Sequence, residues 1–234
     1  MKKPLLTLAL VAASFAAVAQ TAPATATTVA APATSPYAAM MQVTIKEMMS
    51  ATDKAQLQQS IAKMERAAAV APQDWLPRYY QAHAYVRLGF ATQESDAQDK
   101  IFDQAQAALD QARQLPGADV SEVSVVQAYL YQGRIMVAPM TRAMSYTGRV
   151  QEALEAAEKA NPANPRTYLV RGNDLKFRPK MFGGGDAAAR PFYDKAKVAF
   201  AAFRPATVIS PTWGERQLEG ILKSYDTAAA VSAK

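Results

Sequence analysis

The chain has no cysteine and only one histidine. The first absence excludes disulfides, thiolate zinc sites and cysteine nucleophiles, so an extracellular form must be held by packing. The second leaves no pair of histidines for a metal and only His83 as the base of a Ser-His pair. His83 lies between Ala82 and Ala84 in a helical stretch, the ordinary setting of a packed or half-exposed histidine. Catalytic residues, metal ligands and cofactors are therefore not assigned. Paired carboxylates remain available in Asp186, Asp194, Glu215 and Glu219, but these fall at helix caps and helix surfaces. Alternating β-branched runs bounded by hairpin turns are also missing, so no strand is expected. After residues 4–18 no long apolar run recurs, and no stable membrane insertion is expected of the rest.

Residues 4–18 follow a basic start, Met1, Lys2 and Lys3, and end in the small-x-small pattern Ala17, Val18, Ala19. This is the layout of a secretory signal peptide over residues 1–19, and it predicts an exported protein, periplasmic or secreted, of a Gram-negative-type bacterium. Residues 20–36 are rich in Ala, Thr and Pro and carry no charge, which predicts a disordered linker. A helical domain is expected over 37–226 and a disordered tail over 227–234. The formal charge is +6, of which Lys2 and Lys3 supply two, leaving +4. The cations are scattered among acids, so the sequence predicts no nucleic-acid partner.

Apolar residues at helical spacing, interrupted by Pro, Gly and Asn, divide the remainder into helices. The first is expected over 36–50 with a Met-rich core face, and the second over 54–70 behind the capping pair Asp53 and Gln56. Asp74 opens a third, with Gly89 as its stop, and a fourth covers about 96–115. Asp119 and Glu122 form a second capping pair for a helix ending by Pro139. Residues 140–148 read as a polar connection before a helix over 150–161. Asn164 and Pro165 start the next, Asp186 opens its partner, and Thr212 with Glu215 caps a terminal helix.

A repeat runs through the second helix of each hairpin. Small or apolar residues spaced by four and three are followed by proline: Ser60, Met64, Ala67 and Pro72; Ala105, Leu109, Ala112 and Pro116; Ala153, Ala157, Ala160 and Pro165. Ala189, Tyr193 and Ala196 repeat the helix without the proline. In the partner helices a small residue precedes a bulky one by three: Ala82 and Tyr85, Ala128 and Tyr131, Gly172 and Leu175. This pattern resembles the tetratricopeptide repeat. The resemblance implies an all-α fold, a right-handed stack of antiparallel helical hairpins (a TPR-like α-solenoid) closed by a C-terminal capping helix. Read this way, the periods are 45, 48 and 36 residues, against about 34 for the standard unit. The surplus is expected as enlarged turns near 90–99, 137–147 and 178–185. Asn164, Pro165 and Arg166, with residues 181–185, also resemble a group of small exported bacterial repeat proteins of no assigned activity.

Such stacks present surfaces to peptides and proteins. The expected function is a non-catalytic protein- or peptide-interaction scaffold of the envelope or secreted space, its partner unidentified. The alternatives are an envelope glycan-binding protein or hydrolase using groove aromatics and carboxylates, and a structural subunit that stacks on itself. The candidate binding residues are Trp75 and Tyr79, on an aromatic helix face shared with Tyr80, and Arg134, Arg142 and Arg178, on a basic edge shared with Arg166 and Arg171. Phe182 completes the set. The glycines at 183–185 lack the Lys-Ser/Thr of a phosphate loop and read as a tight turn, with Met181 and Phe182 tucked beneath it as a plug.

Overall fold

Capping chemistry sets the helix boundaries of the computed structural model, which describes residues 35–232 of the backbone and side chains as far as Thr227. The expected signal peptide and all but the end of the expected Ala/Thr/Pro linker lie outside those residues. Ser35 Oγ accepts from the Ala38 amide at 3.1 Å and Pro36 opens α1, Pro36–Ser50. Asp53 accepts from the Gln56 amide at 2.9 Å, and the Gln56 side chain accepts from the Thr52 amide at 2.7 Å, one residue before the cap, so the pair closes a variant of the capping box at the start of α2, Lys54–Val70. Next come α3, Leu76–Ala91; α4, Ser95–Gln114; α5, Val120–Val137; and α6, Pro139–Ala160. Asn164 caps α7, Pro165–Phe177, through the Arg166 amide at 3.1 Å. A short 3-10 turn, Lys180–Phe182, leads to α8, Asp186–Ala202, and α9, Glu215–Ser232, which carries helix past the boundary expected at 226.

Each helix packs on the next, pairing α1 with α2, α3 with α4, α5 with α6 and α7 with α8, while α9 packs on α8. The first helices of successive hairpins also touch, in the row α1, α3, α5, α7. The result is an all-α stack of hairpins, and no strand occurs among the described residues.

Burial corrects the repeat register. On α2, Ser60, Met64 and Ala67 are buried, on α4 Ala105, Leu109 and Ala112, and on α8 Ala189, Tyr193 and Ala196, all as expected. On α6 the buried set is Val150, Leu154 and Ala157, whereas Ala153 is half-buried and Ala160 exposed. The true third copy therefore lies three residues earlier, with Pro162 in the proline position, and the periods become 45, 45 and 39 residues. The slip arose because every candidate position in this Ala-rich helix is small, so composition alone does not fix its phase.

At the first two connections the surplus residues lengthen helices instead of turns, whereas residues 178–185 form the enlarged connection expected there. Residues 140–148, expected as a loop, are the first turns of α6, started by Pro139 at its first position. Only residues 92–94 separate α3 from α4. Gly89, expected as a stop, lies inside α3 for a packing reason. A Cβ there would come within 2.5 Å of the Phe102 ring, and one at Gly133 within 2.4 Å of the same ring. Phe102 is thus clamped between α3 and α5 by two glycines.

The polar centre joins the row of first helices. Glu122 completes no capping box. Its amide donates to Asp119 at 3.0 Å, but its carboxylate turns inward. Arg166 donates to it from Nε at 2.9 and 3.0 Å and from Nη2 at 2.6 Å, both side chains being almost fully buried. Tyr79 donates to the same carboxylate at 2.7 Å, and Asn164 at 2.8 Å. Arg166, expected on a solvent-facing basic edge, is instead 1% exposed and has its guanidinium carbon 4.6 Å from the centre of the Phe203 ring. Burial and the Glu122 charge push the Tyr79 phenol well above its ordinary range, so it stays a donor.

Gly133→Ala should cost about 1–3 kcal/mol by overpacking Phe102. Gly148→Ala, with open space around its would-be Cβ, should gain about 0.5–1 kcal/mol from helix preference. Thermal melts followed by circular dichroism read both signs. Glu122→Ala should cost about 3–5 kcal/mol in urea unfolding because it strands the buried Arg166 charge, whereas the double change Glu122→Leu with Arg166→Met should recover most of that loss.

Candidate functional site

The segment between α8 and α9 decides which surface stays open. Residues 203–214 cross the row of first helices. Tyr80 donates to the Ile209 carbonyl at 2.9 Å, and Trp213 Nε1 donates to the Tyr79 hydroxyl at 2.7 Å. Gly214, with φ 106, lies so close that a Cβ would come within 2.8 Å of Leu169. The aromatic face of α3 that suggested a peptide groove is therefore occupied by the chain itself. Tyr79 is fully buried, and Trp75 is half-buried with its ring edge-on to Tyr79 at 5.3 Å.

Beside this crossing lies a cleft of about 650 Å³, within the size range of small-molecule sites. Met49 and Ser50 line it from the end of α1 with Ala51 and Thr52 just beyond, His83 and Arg87 from α3, Tyr129 from α5, Trp213 from the crossing segment, and Arg216 and Gln217 from the start of α9. Its floor is an aromatic stack. Trp213 lies 4.5 Å from His83 at 23° and 6.1 Å from Tyr129 at 13°, and Phe90 packs 4.9 Å from Tyr129 on the far side. Arg87 donates to the Met48 carbonyl and, at 2.9 Å, to that of Ala51, holding the end of α1 against the cleft. Arg216 is exposed and has no ion-pair partner among the described residues.

His83 is buried, and its Nδ1 has no hydrogen-bond partner among the described residues. Burial, with the positive charges of Arg87 and Arg166, brings its pKa down to about 3, so the ring is neutral at physiological pH. No carboxylate lines the cleft. Among the described residues no group of three His, Asp or Glu side chains is placed to hold a metal, and no helix is long and apolar enough to cross a membrane.

The six candidate residues fall in three places, none of them this cleft. Trp75 and Tyr79 belong to the buried aromatic core. Arg134 and Arg142 are brought together by one carboxylate: Asp99 accepts from Arg134 at 2.9 Å and from both terminal nitrogens of Arg142 at 2.6 Å. Hydrogen bonding from Arg142 leads the causes that hold Asp99 below the usual carboxylate range. Arg178 pairs with Asp174 four residues before it, and Phe182 stands exposed on the turn beyond. Sequence reasoning missed Arg87, Tyr129, Trp213 and Arg216. One signal was present, since His83 and Arg87 follow Tyr79 at steps of four on one helix face.

No protein-family model matches the chain, and no curated protein matches it. Among solved structures it is similar to the HusA haemophore from Porphyromonas gingivalis, with 30% sequence identity, a TM-score of 0.72, and coverage of 80% of this chain and 92% of that one. Identity at this level over nearly all of that chain accompanies a shared fold, and by this measure the chain belongs to the same family of helical-stack proteins as that haemophore.

Proposed function

We propose that this protein is a non-catalytic binding protein of the exported compartment whose cleft takes a flat, carboxylate-bearing aromatic ligand of the haem class. The observation that carries the reading is the cleft itself, with stacked rings on its floor and an uncommitted arginine at its rim, in a chain similar to a haemophore. A planar macrocycle gains dispersion and apolar burial against Trp213 and Tyr129. Its carboxylates pair with Arg216, whose planar fork matches them. The signal-peptide layout of residues 1–19 supports an exported location, where such a ligand is met.

The tetratricopeptide-like reading of the hairpins belongs to the same proposal, as does the scaffold role in a narrower sense. The face expected to receive a peptide holds residues 203–214, so the small cleft beside it is the better-supported site. Hydrolysis of a glycan by paired carboxylates has no support there, because the lining contains no carboxylate.

Titration with haem and with its iron-free porphyrin, followed by absorbance, tests the reading. Saturable one-site binding is expected, weakened about tenfold or more by Tyr129→Ala and by Arg216→Glu, a loss of about 1.4 kcal/mol or more. Absence of any saturable spectral change would overturn it. The buried imidazole also predicts a pH dependence. His83 protonates near 6.5 when unfolded and near 3 when folded. Its contribution to stability is therefore complete above about pH 6.5 and is lost as pH falls toward 3. His83→Phe should flatten the unfolding free energy over that window, read by urea denaturation at stepped pH.

A further inference from the structure

The α5–α6 and α7–α8 connections lie at the same end of their hairpins, and both carry large apolar side chains in solvent. Met140 is 94% exposed, Met144 95% and Met181 84%, and Met136, Phe177 and Phe182 are also exposed. Met140 and Met144 are one helical turn apart on α6, so they share a face. The second connection is built to hold its apolar residues outward. Gly185 donates to the Leu175 carbonyl at 2.8 Å and Gly184 to that of Pro179 at 3.2 Å. A Cβ on Gly184 would meet the Arg178 carbonyl oxygen at 2.1 Å, while Gly183 and Gly185 have φ 77 and φ 97. Met181 and Phe182 therefore plug nothing, contrary to the sequence reading, and a rigid glycine turn displays them.

Within the two connections themselves charge has one sign, with Asp186 bordering the second. Residues 136–149 and 176–185 contain Arg142, Arg149, Lys176, Arg178 and Lys180 and no Asp or Glu. Arg142 and Arg178 pair with Asp99 and Asp174, and Lys176 lies 3.7 Å from Asp186. Arg149 and Lys180 have no ion-pair partner among the described residues, and Arg149 instead lies over the Tyr146 ring at 5.3 Å. The patch ends at the preceding connection, where Glu94 and Asp96 are exposed and no large apolar side chain is.

We propose that this edge docks on an anionic lipid surface, with the methionine and phenylalanine side chains entering the headgroup–acyl boundary and Lys180 and Arg149 meeting the phosphates. Protruding apolar groups flanked by unopposed cations match an interface that is negative outside and apolar beneath. The proposed contact is with the surface of the bilayer, and no described helix is long and apolar enough to cross it. The edge is separate from the aromatic cleft, so this inference stands apart from the ligand reading.

Co-sedimentation of the exported, processed chain with vesicles of phosphatidylcholine alone, or mixed equally with phosphatidylglycerol, tests it. Binding to the anionic vesicles at least tenfold stronger than to the neutral ones is expected, falling steeply in high salt. The combined change Met140→Ser, Met144→Ser, Met181→Ser and Phe182→Ser should reduce binding at least tenfold with an unchanged thermal melt, and so should Arg149→Glu with Lys180→Glu. Equal partition onto both vesicles, or wild-type binding by both variants, would overturn the proposal. Sedimentation that shows a concentration-dependent dimer, abolished by the serine variant and without vesicle binding, would also overturn it and assign the edge to a second copy.

Discussion

The ion pair between Arg166 and Glu122 is the constraint on which the stack depends. It brings α5 and α7 together at their N-terminal ends, and Tyr79 and Asn164 complete the coordination of the carboxylate. Two charges taken from water at this depth are stable only when their hydrogen-bonding capacity is nearly filled. Here it is filled by groups from three successive hairpins and by the Phe203 ring. One guanidinium nitrogen, Nη1, is left without an oxygen partner among the described residues, and its stabilisation comes from the aromatic face. Each hairpin thereby becomes dependent on its neighbours' registry, which Ala-rich packing alone would fix weakly.

The same network shapes the cleft. Tyr79 donates a hydrogen bond to Glu122 and accepts one from Trp213, so the core polarity is passed to the segment that crosses the stack. Trp213 is then held flat against His83 and Tyr129, which makes the cleft floor. Floor and core are one connected structure. A substitution at Glu122 thus reaches the cleft through two hydrogen bonds without lining it.

Two surfaces of different character result. The cleft is aromatic and neighboured by Arg87 and Arg216, which is what the proposed flat anionic ligand requires. The edge formed by the α5–α6 and α7–α8 connections is apolar and basic, which is what the proposed anionic lipid surface requires. The two share no residue.

Helix content, cap residues and most of the stacking phase were determined by sequence, because they rest on interactions between residues close along the chain. Asp53, Asp119 and Asn164 cap the helices they were expected to cap, and the spacings 60–64–67, 105–109–112 and 189–193–196 are buried as written. Phase failed on α6, where small residues at every candidate position made two registers equivalent. The site was not legible for a different reason. Eleven of the sixteen residues of α3 are buried, so its amphipathic pattern does not say which face meets the core, the crossing segment or the cleft. Tertiary structure alone decided that Glu122 turns inward, that Arg166 leaves the surface, and that Trp213, some 130 residues along the chain from Tyr79 and His83, closes over them. Those are long-range contacts between polar groups with few partners of sufficient burial, and only the folded stack brings the partners within reach.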